Sequence, residues 1–175
     1  MKTLFAAALL IAAGCSHAFE LTSQDIQEGQ RLPERQVLDG FGCHGDNISP
    51  SLAWKDAPAG TKSFALTVYD PDAPSGSGWW HWLVVDLPAA TRQLPAGASG
   101  RLAAGLETRT DFGRSGYGGA CPPAGRGMHR YQFTIWALPV SKLDIAGPHV
   151  SPAMIGFLLN GMALGTARLT AIYWH

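Results

Sequence analysis

The stretch Tyr69-Asp70-Pro71-Asp72-Ala73-Pro74-Ser75-Gly76-Ser77-Gly78-Trp79-Trp80-His81-Trp82 separates two apolar runs, residues 63–69 and 81–87. Alternation in the first run puts Phe64, Leu66, Val68 and Asp70 on one face and Ala65, Thr67 and Tyr69 on the other. The second, extended back to residue 79, puts Trp79, His81, Leu83 and Val85 on one face. Pro and Gly between two such runs are ordinary turn formers. Two acids, and a histidine among three tryptophans, are not ordinary turn residues. The junction therefore reads as one wall of a small polar pocket at the mouth of a β-core.

Working outward, residues 19–22, 52–54, 130–138 and 167–173 read as further strands. Ser151-Pro152 supplies an N-cap and a first helical position for a helix running to about residue 162. Ser23 caps at most one helical turn, because Gly29 and Pro33 stop anything longer. Residues 37–50 read as loop, where His44, Asp46 and Asn47 suit turn capping better than cation ligation. With 21 Gly, 12 Pro and only 15% charged residues, the chain reads as a loop-rich β protein rather than a helical bundle. Hydrophobic residues at 46%, six of them Trp, exclude a disordered chain.

Residues 1–18 form a separate unit. Lys2 gives a minimal positive start, residues 4–13 are apolar, and Ser16-His17-Ala18 fits a small-x-small cleavage site. About ten apolar residues are too few to span a bilayer, so the expectation is a signal peptide cleaved after Ala18 and a periplasmic or secreted protein. Lipidation at Cys15 is the less favoured alternative, since Ala12 stands where a large aliphatic is usual. Residues 19–175 suit one domain. Its charge is near zero, because removing Lys2 from 13 basic and 13 acidic residues leaves 12 against 13. That balance argues against nucleic acid or an anionic membrane surface as a generic partner. Loss of Cys15 leaves Cys43 and Cys121. The expectation is one disulfide, contributing on the order of 3–5 kcal/mol; the alternative is two free thiols facing one cavity.

Asp70 ends one strand, while His81 and His129 each begin another. If these strands are neighbours, the three side chains gather at one sheet edge, with Tyr131 two residues beyond His129. Two imidazoles, a phenol and the amides of Gly118-Gly119-Ala120-Cys121 make an anion receptor, in which Asp70 orients an imidazole or shares a proton with a bound phosphate oxygen. A metal on Asp70, Asp72, His81 and His129 lacks HxH, HExxH or CxxC support, and the loop has no Gly-Lys-Ser/Thr ending. A serine hydrolase would need a GxSxG elbow, which the chain lacks.

The motifs Asp70-Pro71-Asp72-Ala73-Pro74, Trp79-Trp80-His81-Trp82 and Tyr117-Gly118-Gly119-Ala120-Cys121-Pro122-Pro123, with His129-Arg130-Tyr131, resemble the phosphatidylethanolamine-binding protein family. The likeness is to its bacterial, Raf-kinase-inhibitor-like branch. It implies two antiparallel sheets in a sandwich-like core with a few short helices, and a pocket for phosphate or phospholipid head groups or another small anion, with no cofactor. By matching motifs the pocket would be lined by Asp70, Ala73, Pro74, Trp79, His81, Gly119, Cys121, Pro122, His129 and Tyr131. The Ala73–Pro74 bond would be cis. Cys121 stands where animal members have glycine, and the gating C-terminal helix of those members has no counterpart before His175. The resulting expectation is a non-catalytic exported binding protein, acting on a protein partner such as a kinase or protease. The alternative is a phosphoester hydrolase using His81, His129 and Asp70.

Overall fold

A computed structural model describes residues 18–175. The expected leader, Cys15 included, lies outside the described residues except for Ala18.

The strands form where apolar side chains alternate. They are β1 (Glu20–Thr22), β2 (Asp39–Gly40), β3 (Cys43–His44), β4 (Leu52–Lys55), β5 (Ser63–Asp70) and β6 (Trp79–Pro88), then β7 (Gln93–Leu94), β8 (Leu106–Glu107), β9 (His129–Leu138) and β10 (Gly165–Tyr173). A helix, α1 (Pro152–Met162), precedes β10. One sheet has the order β10-β9-β5-β6-β8, a second β1-β4-β7, and β2-β3 is a hairpin. All named pairings are antiparallel. The architecture is the mainly β, two-sheet fold expected.

β5 is the hub of the large sheet and is buried on both faces. Phe64, Leu66 and Val68 face the small sheet with Phe133, Ile135, Leu52 and Trp54; Trp54 and Phe64 meet edge-on at 5.6 Å between centroids. Ala65 faces the other way with Leu83, Val85 and Trp136, and α1 covers this side with Ile155 and Leu159. Ser151 caps α1, its side chain accepting from the Met154 amide, and Pro152 opens the helix.

Three local expectations change. Ser23 Oγ accepts from the Asp25 and Ile26 amides, but a turn rather than a helix follows. Residues 37–50 are not all loop, since β2 and β3 pair there. No peptide bond among the described residues is cis, so Ala73–Pro74 is trans. The chain reverses instead at Gly76 (φ 81°) and Gly78 (φ 69°), angles that glycine adopts without a Cβ clash.

Candidate functional site

A cavity of about 450 Å³ opens at the end of the large sheet where β5 finishes and β6 and β9 begin. Asp70 and His129 form its floor and are each 3% exposed. His129 Nδ1 donates to Asp70 Oδ2 at 2.8 Å, and the Asp72 amide donates to Asp70 Oδ1 at 2.8 Å. Asp72 turns outward and clamps the start of β9. It accepts from the Arg130 amide at 2.9 Å and from the Arg130 guanidinium at 2.8 and 2.7 Å. The guanidinium holds the Asp72 carboxyl below its ordinary range. The Asp-Pro-Asp motif thus does two jobs, one acid inside the cavity and one locking its rim.

His81 arrives by a different route from the one alternation gives. In the β5–β6 register Val68 pairs with Trp82 and Tyr69 with Trp80, so His81 is the unpaired residue of a β-bulge. Strict alternation would put it beside Leu83 and Val85, on the α1 side. The extra residue turns it to the cavity, where its ring meets Tyr131 at 5.1 Å and Phe112 at 5.4 Å. His81 Nδ1 donates to the Gly118 carbonyl at 2.8 Å, leaving Nε2 as its free nitrogen. Burial pushes its pKa below the ordinary value, against the opposing pull of the Gly118 carbonyl and Asp70. The neutral ring therefore presents an acceptor to the cavity.

Of the sequence-predicted residues, Asp70, Ala73, Pro74, Trp79 and His81 line the cavity from the opening junction. Cys121, Pro122, His129 and Tyr131 line it from the other side. Gly119 does not. It lies behind the wall, where an added Cβ would sit 2.4 Å from the Gln36 carbonyl oxygen and 2.5 Å from the Leu38 nitrogen. The expected cradle of loop amides is corrected at two of its four members, Gly118 and Gly119. The Gly118 N–H donates to the His81 carbonyl at 2.9 Å, and the Gly119 N–H to Asn47 Oδ1 at 2.7 Å. These donors build the wall and are not offered to a ligand. Asn47 is thus a structural tie, as its turn-capping reading suggests.

Two donors do remain. The Tyr131 hydroxyl and Trp79 Nε1 are buried without a hydrogen-bond partner. Burial raises the Tyr131 pKa, so the phenol keeps its proton as a donor. Leaving such groups unpaired costs about 1–3 kcal/mol each, which marks them as reserved for something else.

The sequence reading missed Leu38, Phe41, Ser75, Phe112 and Pro123 in the lining. Phe41 is 78% exposed at the tip of the β2–β3 hairpin, with its ring stacked 6.1 Å from Phe112. Phe112 in turn meets Trp79 edge-on at 5.4 Å. Both phenylalanines lie in loops that alternation cannot place; the available signal was an apolar residue next to glycine, Phe41 between Gly40 and Gly42 and Phe112 before Gly113. Cys43 and Cys121 are joined by a disulfide, Cα to Cα 5.9 Å, which ties this hairpin to the cavity loop. The free-thiol alternative does not hold here.

Among the described residues, neither the thiol nor the hydroxyl of the cavity's Cys121 and Ser75 is free, since Cys121 is crosslinked and Ser75 Oγ donates to the Gly78 carbonyl. The four-residue metal set does not form either. Its members bond to one another, to Gly118 or to Arg130.

Comparison with known proteins bears on the same residues. The phosphatidylethanolamine-binding protein family model matches residues 22–174. The chain belongs to this family. Among bacterial members it is similar to the UPF0098 protein YbcL of Escherichia coli, 47% identical over 181 residues, covering 99% of this chain and 98% of YbcL. It is also 53% identical to YbhB of the same organism over 158 residues, 88% of this chain and 99% of YbhB. The YbcL crystal structure, titled as a new member of the mammalian PEBP family, superposes with a TM-score of 0.86 over 90% of this chain and 98% of that one, at 48% identity.

Proposed function

We propose that this protein is a non-catalytic binding protein whose cavity takes a small oxyanion of the phosphate or phosphate head-group class. The observation that carries this reading is the pair of buried, unpartnered donors, Tyr131 Oη and Trp79 Nε1, in one cavity with the free nitrogen of His81. Both residues line that space, and hydrogen-bond donors suit ligand oxygens. Asp70 and neutral His81 are acceptors, so the ligand must also bring a proton, as a hydrogen phosphate does. Among the described residues no Lys or Arg lines the cavity, and a fully ionised dianion would face Asp70 uncompensated. A partner protein would meet the exposed Phe41 at the rim; this extends the family's regulatory reading to this chain. Export rests on the leader composition and on a crosslink that persists in oxidising compartments.

The test is titration with phosphate and with phosphoethanolamine, followed by tryptophan fluorescence, since Trp79 forms part of the wall. A saturable change is expected in the wild type. Tyr131→Phe should weaken it about 10- to 150-fold, the worth of one hydrogen bond to a charged group, with the melting temperature unchanged or raised. No saturation in wild type, or equal affinity in Tyr131→Phe, sinks the anion reading. Turnover of a phosphoester panel that vanishes in His81→Ala would replace it with the hydrolase reading.

A further inference from the structure

Beneath the rim, away from the cavity's polar floor, a second constellation has chemistry of its own. Cys43 Sγ, Cys121 Sγ and a ring nitrogen of His175 all lie within 4.8 Å of one another, the one such metal-capable group among the described residues. Cys43 is buried, Cys121 half-buried and His175 exposed. Cys43 Sγ stands 3.8 Å from His175 Nδ1. Gly42 lies beside the ring, a Cβ there being 3.6 Å from His175 Cε1, an ordinary van der Waals contact.

We propose that reduction of the Cys43–Cys121 disulfide converts this cluster into a binding site for a thiophilic metal ion, Cu(I) above all, held by two thiolates and the His175 imidazole. Two ligands bound to a common metal at about 2.0–2.3 Å stand about 3.5–3.8 Å apart. The Cys43–His175 spacing already meets this; the two sulfurs must separate, and Cys121 Sγ, within 4.8 Å of the ring nitrogen, must settle to the same spacing. Three ligands of this softness suit three-coordinate Cu(I); zinc would need a water to complete four. The chemistry balances. A dithiol reductant gives two electrons and two protons to the disulfide and leaves as its own disulfide. The metal then displaces the two thiol protons, while His175 binds through a neutral nitrogen. The crosslinked and metal-bound forms thus both hold the β2–β3 hairpin against the cavity loop, and the free dithiol does not. The site shares Cys121 with the cavity wall, but its ligand chemistry does not rest on what the cavity binds.

The test uses the full chain in a Cys15→Ser background, with Cu(I) presented from a chromophoric chelator after phosphine reduction and buffer exchange. The reduced protein should take up one equivalent and the oxidised protein none. His175→Ala should weaken uptake at least tenfold, and Cys43→Ser/Cys121→Ser should abolish it while tryptophan fluorescence stays native. Copper should also raise the melting temperature of the reduced wild type. Equal uptake by oxidised protein, none by reduced protein, or uptake indifferent to His175→Ala each overturns the site. Uptake only by a reduced protein that has lost its native fluorescence overturns it as well.

Discussion

Asp70→Asn is the sharpest probe of the cavity floor, because it alters charge while keeping shape. Asp70 accepts two hydrogen bonds, from the Asp72 amide and from His129 Nδ1, each at 2.8 Å. An asparagine retains one oxygen for the Asp72 amide but presents an NH₂ where Oδ2 stood, facing the Nδ1–H of His129. Two donors cannot bond, so His129 must move its proton to Nε2 and accept instead. A charge-assisted bond of about 1.5–3 kcal/mol becomes a neutral one of about 0.5–1.5, a loss of about 1–2 kcal/mol. Asp70→Ala has no such escape, and leaves the His129 and Asp72 N–H donors without their acceptor, at about 1–3 kcal/mol each. At about 2–4 °C per kcal/mol for a domain of this size, melting should fall by about 2–8 °C in Asp70→Asn and about 4–24 °C in Asp70→Ala. Removing the acid should also tighten sulfate, which carries no proton to share with a carboxylate. Thermal melts followed by tryptophan fluorescence, with and without sulfate, read both effects. Equal losses in the two variants, or sulfate binding that does not improve, would refute the assignment of Asp70 as a charged acceptor at the floor.

Other expectations follow from the same geometry. His81 has a lowered pKa in the fold, so the unfolded chain binds more protons and stability falls on acidification below about pH 6.5. A bound oxyanion favours the imidazolium, so sulfate affinity should rise over that interval; melts at several pH values should show both trends, and identical slopes in His81→Gln would remove His81 as the cause. Gly119→Ala should cost about 1–3 kcal/mol by denaturant unfolding and spread the cavity wall, because its Cβ would meet backbone atoms at 2.4–2.6 Å; a neutral result would mean the wall yields freely. Arg130→Ala should leave the unfolding midpoint nearly unchanged, since the Asp72 pair is partly exposed; a clear loss would show that the clamp on β9 is structural. Reduction of the disulfide, whose partners are 78 residues apart, should cost about 4–5 kcal/mol on loop entropy in metal-free buffer, measured by urea unfolding.

Much of this was legible in the sequence because both faces of β5 and β9 are buried in register. Asp70 falls on the face of Phe64, Leu66 and Val68, and His129 on that of Tyr131 and Phe133. Alternation thus delivered the cavity floor. It failed for the walls. Amides that look free in a Gly-rich string were already committed, Gly119 to Asn47, a partner 72 residues away. Phe41 and Phe112 reach the rim through loop conformations, Phe41 at a φ of 54°, which no periodicity encodes. The trans Ala73–Pro74 bond departs from what the family likeness implied, and the glycines at 76 and 78 carry the reversal.

The bulge at His81 can also be seen as a change of reading frame within one strand. β6 is read in phase with β5 from Trp82 to Val84, and slips at His81 and again between its pairings at Val84 and Leu87, near Asp86 (φ 59°). The polar residues of this apolar strand stand at those slips. The floor of the site, Asp70 and His129, keeps the phase of its strands, whereas the His81 wall sits where the phase of β6 is lost. Deleting one residue there would restore the pairing and close the receptor, leaving the rest of the sandwich untouched.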